Sequence, residues 1–246
     1  MVHPSERGHF YDRDGNPVYE VPYADPSKGM RAVTLADARK LNLLPSVTTI
    51  LQEAAKPGLE RWKVTQGVLS ALTLPKLANE SLDDFAGRAI EDSREQAKKA
   101  AERGTAIHAA VQNHYQGGKT EEAMRSYVEG AVERINAAFG ATGWLPEGTI
   151  ARKEYAGKRD LRAPGVTLDL KTTLFSDATK RLAWDEHCIQ LAAYREPQDR
   201  CANVFISVNN PGLVHIHEWK EAELERGWKM FQALLDYWYA RTGLKR

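Results

Sequence analysis

The sequence predicts a mixed α/β (α+β) fold, in which a helical region precedes a central mixed β-sheet flanked by helices. Amphipathic helical patterns fill most of residues 46–140, β-prone runs separated by turn signals follow from residue 144, and a helix with a broad apolar stripe ends the chain. The 246 residues, 42% of them hydrophobic, suffice for one buried core. We therefore expect an N-terminal arm over residues 1–45 and a single domain over residues 46–246. Its helical part spans 46–140 and its sheet-containing core 144–246.

The N-terminal arm contains a predicted hairpin. Asp14-Gly15 is a turn signal between the β-prone residues Tyr11 and Val18. Pro22 and Pro26 follow, and we expect the rest of the arm to be a loop.

The helical part shows helical periodicity in four segments: Ser46–Lys63, Ser81–Arg103, Gly104–Val111 and Thr120–Phe139. In the third segment Ile107 and Val111 mark a buried stripe, with His114 or Tyr115 continuing it. Gly140 is expected to end the fourth segment.

The core is predicted from alternation and turns. The expected elements are a strand at 149–155, a hairpin at 158–173 around Pro164-Gly165, a helix at 184–195, a hairpin at 202–219 and a helix at 221–241. The last helix carries an apolar stripe that indicates core or a subunit contact: Leu224, Trp228, Phe231, Leu235 and Trp238.

The hairpin at 158–173 carries the most informative side chains. In its second run Val166, Leu168 and Leu170 alternate with Thr167, Asp169 and Lys171, so a carboxylate and an amine share one strand face. Asp160 lies on the facing strand. Oxygen ligands of this kind are what Mg²⁺ or Mn²⁺ prefers, and an ammonium can orient an attacking water. The competing interpretation is a pair of solvated surface charges.

Two helical patterns can complete such a site. Gln190 and Tyr194 lie four residues apart on one face of the helix at 184–195. His108 lies beside the stripe of Ile107 and Val111, and imidazole is a competent ligand for Mn²⁺.

The ordered set of these residues resembles the PD-(D/E)XK nuclease superfamily, in its RecB-like and phage-exonuclease branch. The set is Gly104-x-x-x-His108, Asp160, Asp169-x-Lys171-Thr172 and Gln190-x-x-x-Tyr194. Residues 45–51 and 56–62 also look like the start of phage-encoded members. The resemblance covers roughly residues 45–235.

The resemblance implies a restriction-endonuclease-like core and a Mg²⁺- or Mn²⁺-dependent deoxyribonuclease that hydrolyses phosphodiester bonds. It implies that Asp160, Asp169 and the backbone carbonyl of Leu170 are metal ligands, that His108 is a further ligand, and that Lys171 is the catalytic lysine. Gln190 and Tyr194 would support the site and contact DNA. The phage branch suggests an exonuclease acting on linear DNA in recombination or DNA processing, and it leaves room for a single-strand annealing protein as partner and for a ring-shaped homo-oligomer.

Two features depart from the family pattern: Arg159 stands where the family has its name-giving proline, and the nine-residue step from Asp160 to Asp169 is short. Glu154 is a secondary metal candidate on the predicted strand at 149–155, and pairing with Arg152 or Lys158 is an equally good interpretation.

DNA contacts must be local, because the net charge is only +1. Residues 149–181 contain eight basic and four acidic side chains, an excess of four where a phosphate backbone would lie. The expected DNA-binding residues are Arg152, Lys158, Arg159, Lys180 and Arg181.

Composition restricts the cofactor and the compartment. Cys188 and Cys201 are the two cysteines, and an iron-sulfur cluster needs four thiolates, so we expect no such cluster. With neither a secretory signal nor a cysteine framework, we expect a cytoplasmic protein, including the cytoplasm of a phage-infected host. We expect no membrane association, since the sequence has no run of about 18 apolar residues.

Several alternatives stay open. An endonuclease of the same fold, specific for a structure or a sequence, would nick closed circles, and a non-catalytic nucleic-acid-binding subunit would bind DNA without degrading it. His215 and His217 share a strand face and raise the possibility of zinc, but an exposed strand face is the simpler interpretation. Trp62 and Trp184 could stack on bases, although we expect packing for both.

Overall fold

The computed structural model describes residues 9–140, 143–177 and 181–246. In these ranges the chain forms seven α-helices and ten β-strands. Five of the strands form a mixed sheet with flanking helices, which confirms the predicted mixed α/β class. The chain divides into two compact units, one with residues up to Ala54 and from His108 onward, the other with Ala55–Ile107.

The N-terminal arm contains the predicted hairpin, formed by β1 (Phe10–Tyr11) and β2 (Pro17–Val18). A second antiparallel pair joins β3 (Glu20–Pro22) to β4 (Met30–Ala32). The expected loop is wrong in part, because α1 occupies Leu35–Leu41. Thr34 and Asp37 cap its N-terminus reciprocally, a capping box that was visible in the sequence.

The helical part contains four helices. They are α2 (Val47–Leu51), α3 (Pro57–Thr73), α4 (Leu82–Tyr115) and α5 (Arg125–Phe139), and β5 (Leu44–Pro45) precedes them and pairs with β1. The predicted helix over Ser46–Lys63 is wrong in extent, since residues 52–56 separate α2 from α3 and proline takes the first position of α3.

The long helix α4 merges two of the predicted segments, because Gly104 does not interrupt it. Ile107 and Val111 are fully buried, as expected, whereas His114 is exposed. The unit Ala55–Ile107 consists of α3, the connection to α4 and most of α4. Within it Arg88 Nε lies 2.6 Å from Glu80 Oε1.

The five-stranded sheet occupies the second half of the chain. Its strands are β6 (Leu145–Ala151), β7 (Ala156–Ala163), β8 (Val166–Thr173), β9 (Arg200–Ser207) and β10 (Val214–Trp219), in the spatial order β6-β7-β8-β9-β10. Only the β8–β9 pair is parallel, and α6 (Asp185–Tyr194) makes the crossover that parallel pairing requires. The predicted strand at 149–155 is wrong in extent, because β6 ends at Ala151.

Helix α6 packs against β7, β8 and β9, α7 (Glu221–Thr242) packs on α6, and α5 contacts β9 and β10. The apolar stripe of α7 is core, with Leu224, Phe231 and Trp238 at most 2% exposed. The two helices approach closely at Gly227, where a Cβ would lie 3.0 Å from Cys188 Sγ. No helix in the described ranges has the length and apolarity to cross a membrane.

Candidate active site

The strand β8 carries Asp169 and Lys171 through the middle of the sheet. Asp169 is opposite Asn203 and Lys171 is opposite Phe205 on the parallel strand β9. The alternating apolar residues Leu168 and Leu170 are 0% and 2% exposed. Asp169 is itself only 2% exposed, so its carboxylate is a buried group rather than part of a solvated strand face.

Asp160 reaches the same place from β7. The β7–β8 ladder pairs Leu161 with Leu168, and beyond that pair Asp160 Oδ2 accepts a hydrogen bond of 2.7 Å from the Leu170 backbone N–H. Because the N–H and C=O of a strand residue point to the same side, the Leu170 carbonyl also faces β7. The predicted ligand set of Asp160, Asp169 and this carbonyl is therefore local to one point of the sheet.

Lys171 bridges the sheet to helix α6. Its Nζ lies 2.9 Å from both oxygens of Asp169 and 3.0 Å from Gln190 Oε1. Burial lowers the pKa of the Lys171 amine, but the carboxylates of Asp169 and Asp160 outweigh burial and raise it. The lysine is therefore held as an ammonium.

The two carboxylates share this one ammonium. Burial raises the pKa of Asp160 and of Asp169, Lys171 opposes the rise in both, and Asp160 adds to it at Asp169. With both carboxyl groups ionised, the buried Asp169 and the half-buried Asp160 give this pocket one more negative charge than the single ammonium offsets. An additional cation would neutralise that excess.

Gln190 and Tyr194 on α6 both lie near Lys171 and Asp169. Gln190 Oε1 accepts a hydrogen bond of 3.0 Å from Lys171 Nζ, and the side chains of Gln190 and Tyr194 lie within reach of each other. Burial raises the pKa of Tyr194 well above its ordinary value, with Tyr11 and then Asp169 adding to the rise. The ring is 3% exposed and packs against Gly157, where a Cβ would lie 2.6 Å from Tyr194 Cε1.

His108 lies near enough to Asp169 and Lys171 to interact with both electrostatically. Burial and then Lys171 lower its pKa, and Asp169 opposes them, with a net pKa of about 4. The imidazole is thus neutral at pH 7, which is the form that binds metals. Even so, the described residues contain no group of three or more His, Cys, Asp or Glu side chains arranged as a metal cage.

Sequence reasoning missed Asn203 and Trp219. Asn203 Nδ2 donates a hydrogen bond of 2.7 Å to Asp169 Oδ2, and Trp219 Nε1 donates one of 2.7 Å to Asn203 Oδ1. The available signal was an asparagine inside the apolar run of β9, where Asn is normally depleted.

The secondary metal candidate Glu154 lies in the connection between β6 and β7. Its carboxylate is 3.3 Å from Arg246 Nε, and its carbonyl accepts a hydrogen bond from Tyr239. The structure therefore gives Glu154 partners in α7 and the C-terminal segment, and not the alternative partners Arg152 or Lys158.

The expected DNA-binding residues have varied surroundings. Arg152 and Arg159 both pair with Glu196, at 2.9 and 3.4 Å, and Arg159 is only 2% exposed. Lys158 pairs with Glu147 at 2.6 Å. Because Arg159 is buried and pairs with a carboxylate, it stabilises the fold and is not accessible to a phosphate backbone.

The remaining basic candidates lie before α6. Arg181 is exposed, and its guanidinium lies 4.6 Å above the ring of Trp184. The expectation of packing is wrong for both tryptophans, since Trp184 is 47% exposed and Trp62 is 38% exposed. Lys180 lies outside the described residues.

The histidines of β10 are half-buried among aromatic rings rather than on an exposed strand face. His215 stacks with Phe205 at 6.4 Å between centroids, and His217 packs edge-on against Trp219 at 4.4 Å. Both cysteines, Cys188 and Cys201, are buried free thiols.

Comparison with known proteins finds similar solved structures. No family model and no curated protein matches the chain. Among the similar solved structures is the crystal structure of SSO0001, with a TM-score of 0.33 and 15% identity over 72% of this chain and 86% of that chain.

Proposed function

We propose that this protein is a Mg²⁺- or Mn²⁺-dependent DNA nuclease of the PD-(D/E)XK type, in the RecB-like and phage-exonuclease branch, which degrades linear DNA. The observation that carries the proposal is that one ammonium, Lys171, interacts with two carboxylates, the buried Asp169 and the half-buried Asp160. A purely structural role gives no reason to bury this excess of negative charge, since an unpaired carboxylate inside a protein is costly.

The donor set suits Mg²⁺ or Mn²⁺, which one or two carboxylates, a carbonyl oxygen and water can bind. Asp160, Asp169 and the Leu170 carbonyl would hold the ion, with His108 as a nearby neutral imidazole. When bound, the ion would activate a water and stabilise charge on the phosphate. The restriction-endonuclease-like core belongs to this proposal, and the mixed sheet with flanking helices supports it.

Lys171 and α6 supply the remaining chemistry. The ammonium, held between Asp169 and Gln190, would orient the attacking water and offset negative charge as it develops. Tyr194, one helical turn from Gln190 on α6, would support the Gln190 side chain. Annealing proteins as partners and a ring-shaped oligomer stay predictions of the resemblance.

The test is a cleavage assay with purified protein on end-labelled linear duplex and on closed circular DNA, with Mg²⁺, Mn²⁺ or EDTA. We expect metal-dependent loss of the linear DNA only, and loss of this activity in Asp169→Ala and Lys171→Ala. Lys99→Ala is the matched control, because Lys99 pairs with Glu95 on an exposed helix face. Full activity in both site variants would remove the proposal.

The same assay separates the rival functions. Nicking of closed circles would show an endonuclease of the same fold. Binding of DNA without degradation under any metal condition would show a non-catalytic subunit.

A further inference from the structure

We infer that Asn203 is a positioning residue for Asp169, and that the indole of Trp219 fixes the orientation of the Asn203 amide. This inference rests on the proposed function, because it concerns the carboxylate proposed to bind the metal. It adds two residues that the resemblance did not supply.

The three side chains form a continuous buried chain of hydrogen bonds. Trp219 Nε1 donates to Asn203 Oδ1 at 2.7 Å, and Asn203 Nδ2 donates to Asp169 Oδ2 at 2.7 Å. Asn203 is 0% exposed, Asp169 is 2% exposed and Trp219 is 8% exposed. Water therefore has little access to the polar atoms of this chain.

The indole determines which way the amide points. An indole N–H is only a donor, so the Asn203 atom that faces Trp219 must be the oxygen. The amide nitrogen then faces Asp169 and offers it a donor. The reversed amide would place two donors together at Trp219 and two acceptors together at Asp169.

The sheet holds this chain in register. Asn203 lies on β9, which pairs with β8 on one side and with β10 on the other. Asp169 is its direct partner on β8, and Trp219 lies on β10 two residues beyond its partner His217. Each polar group thus sits on a paired strand, which fixes positions better than a loop would.

These contacts hold the Asp169 carboxylate in one orientation before a metal ion binds. Asn203 donates to Oδ2, and Lys171 contacts both oxygens of the carboxylate. A second hydrogen-bond partner of a ligating carboxylate orients it for the metal, and losing such a partner typically weakens metal binding about 10- to 100-fold.

The experiment measures Mn²⁺ binding by calorimetry on the full chain without DNA, together with thermal unfolding. We expect Asn203→Ala to weaken Mn²⁺ binding by about 10- to 100-fold. Trp219→Phe keeps an aromatic ring and removes the indole N–H, and it should weaken binding in the same direction by a smaller factor. In the cleavage assay both variants should lower kcat, with KM for DNA unchanged.

Ser207→Ala is the matched control. Ser207 is also fully buried on β9, but its hydroxyl donates to the Phe175 carbonyl at 2.6 Å, away from Asp169. It should lower stability and leave Mn²⁺ affinity at the wild-type value.

Wild-type affinity in a folded Asn203→Ala, or an equal loss in Ser207→Ala, would overturn the inference. If Asn203→Ala fails to fold, Trp219→Phe decides, and wild-type affinity in it overturns the inference. A wild-type protein that neither binds Mn²⁺ nor cleaves DNA would instead overturn the proposed function and this inference with it.

Discussion

Replacing Lys171 with methionine tests the electrostatics of the buried site without DNA or metal. The change removes the ammonium that lies 2.9 Å from both oxygens of Asp169 and 3.0 Å from Gln190 Oε1. The methionine keeps most of the side-chain volume. Asp169, only 2% exposed, then loses its cationic partner inside the protein.

The size of the effect follows from protonation. Without Lys171 the Asp169 carboxyl binds a proton rather than stay charged, and its unfolded pKa is about 3.9. Protonation at pH 7 then costs at most about 4 kcal/mol, at about 1.36 kcal/mol per pH unit above that pKa. The native variant binds more protons than the unfolded chain in this range, so its stability falls as pH rises.

We therefore expect Lys171→Met to lower the free energy of unfolding by up to about 4 kcal/mol at pH 7 and by up to about 1.5 kcal/mol at pH 5. Urea unfolding followed by circular dichroism in EDTA at both pH values measures this difference. Lys99→Met is the control, because that lysine is 70% exposed beside Glu95 and should change little. If Lys171→Met lowers the free energy of unfolding by the same amount at both pH values, protonation of Asp169 does not cause the loss.

Two further predictions concern packing and thiol reactivity. Gly157→Ala should destabilise the protein by about 1–3 kcal/mol, because the new Cβ would lie 2.6 Å from the buried Tyr194 ring. Gly58→Ala is the control and should cause no such destabilisation, because there is open space around its Cβ. Thermal unfolding of the two variants measures the difference. Burial raises the pKa of Cys188 to about 11 and of Cys201 to about 12, so neither thiol should react with a thiol reagent at pH 7.5 until urea is added. Equal stability of the two glycine variants, or rapid labelling of the folded protein, would count against this packing.

The local part of the site could be predicted from the sequence. Alternation in β8 indicated that Asp169 and Lys171 share a face, and helical spacing indicated the same for Gln190 and Tyr194. Both patterns depend on neighbours within a few residues, which a sequence displays directly.

Contacts between residues that are distant in sequence could not be predicted without the fold. Asn203 contacts Asp169 through a parallel pairing that spans 34 residues, and sequence spacing does not give the register of such a pair. For the same reason the sequence suggested nearby residues as partners of Glu154, whereas its partner in the structure is Arg246, 92 positions further along the chain. The missed helix α1 is different, since its capping box at Thr34 and Asp37 was a local signal.

The most direct test of the central claim is a crystal structure of the protein grown with Mn²⁺, with anomalous scattering recorded from the ion. We expect one strong anomalous peak between Asp160 and Asp169, about 2.0–2.6 Å from a carboxylate oxygen of each. Lys171 should remain beside the ion and in contact with Gln190. A fully occupied Mn²⁺ site elsewhere, with Lys171 and both aspartates still paired only with one another, would contradict it.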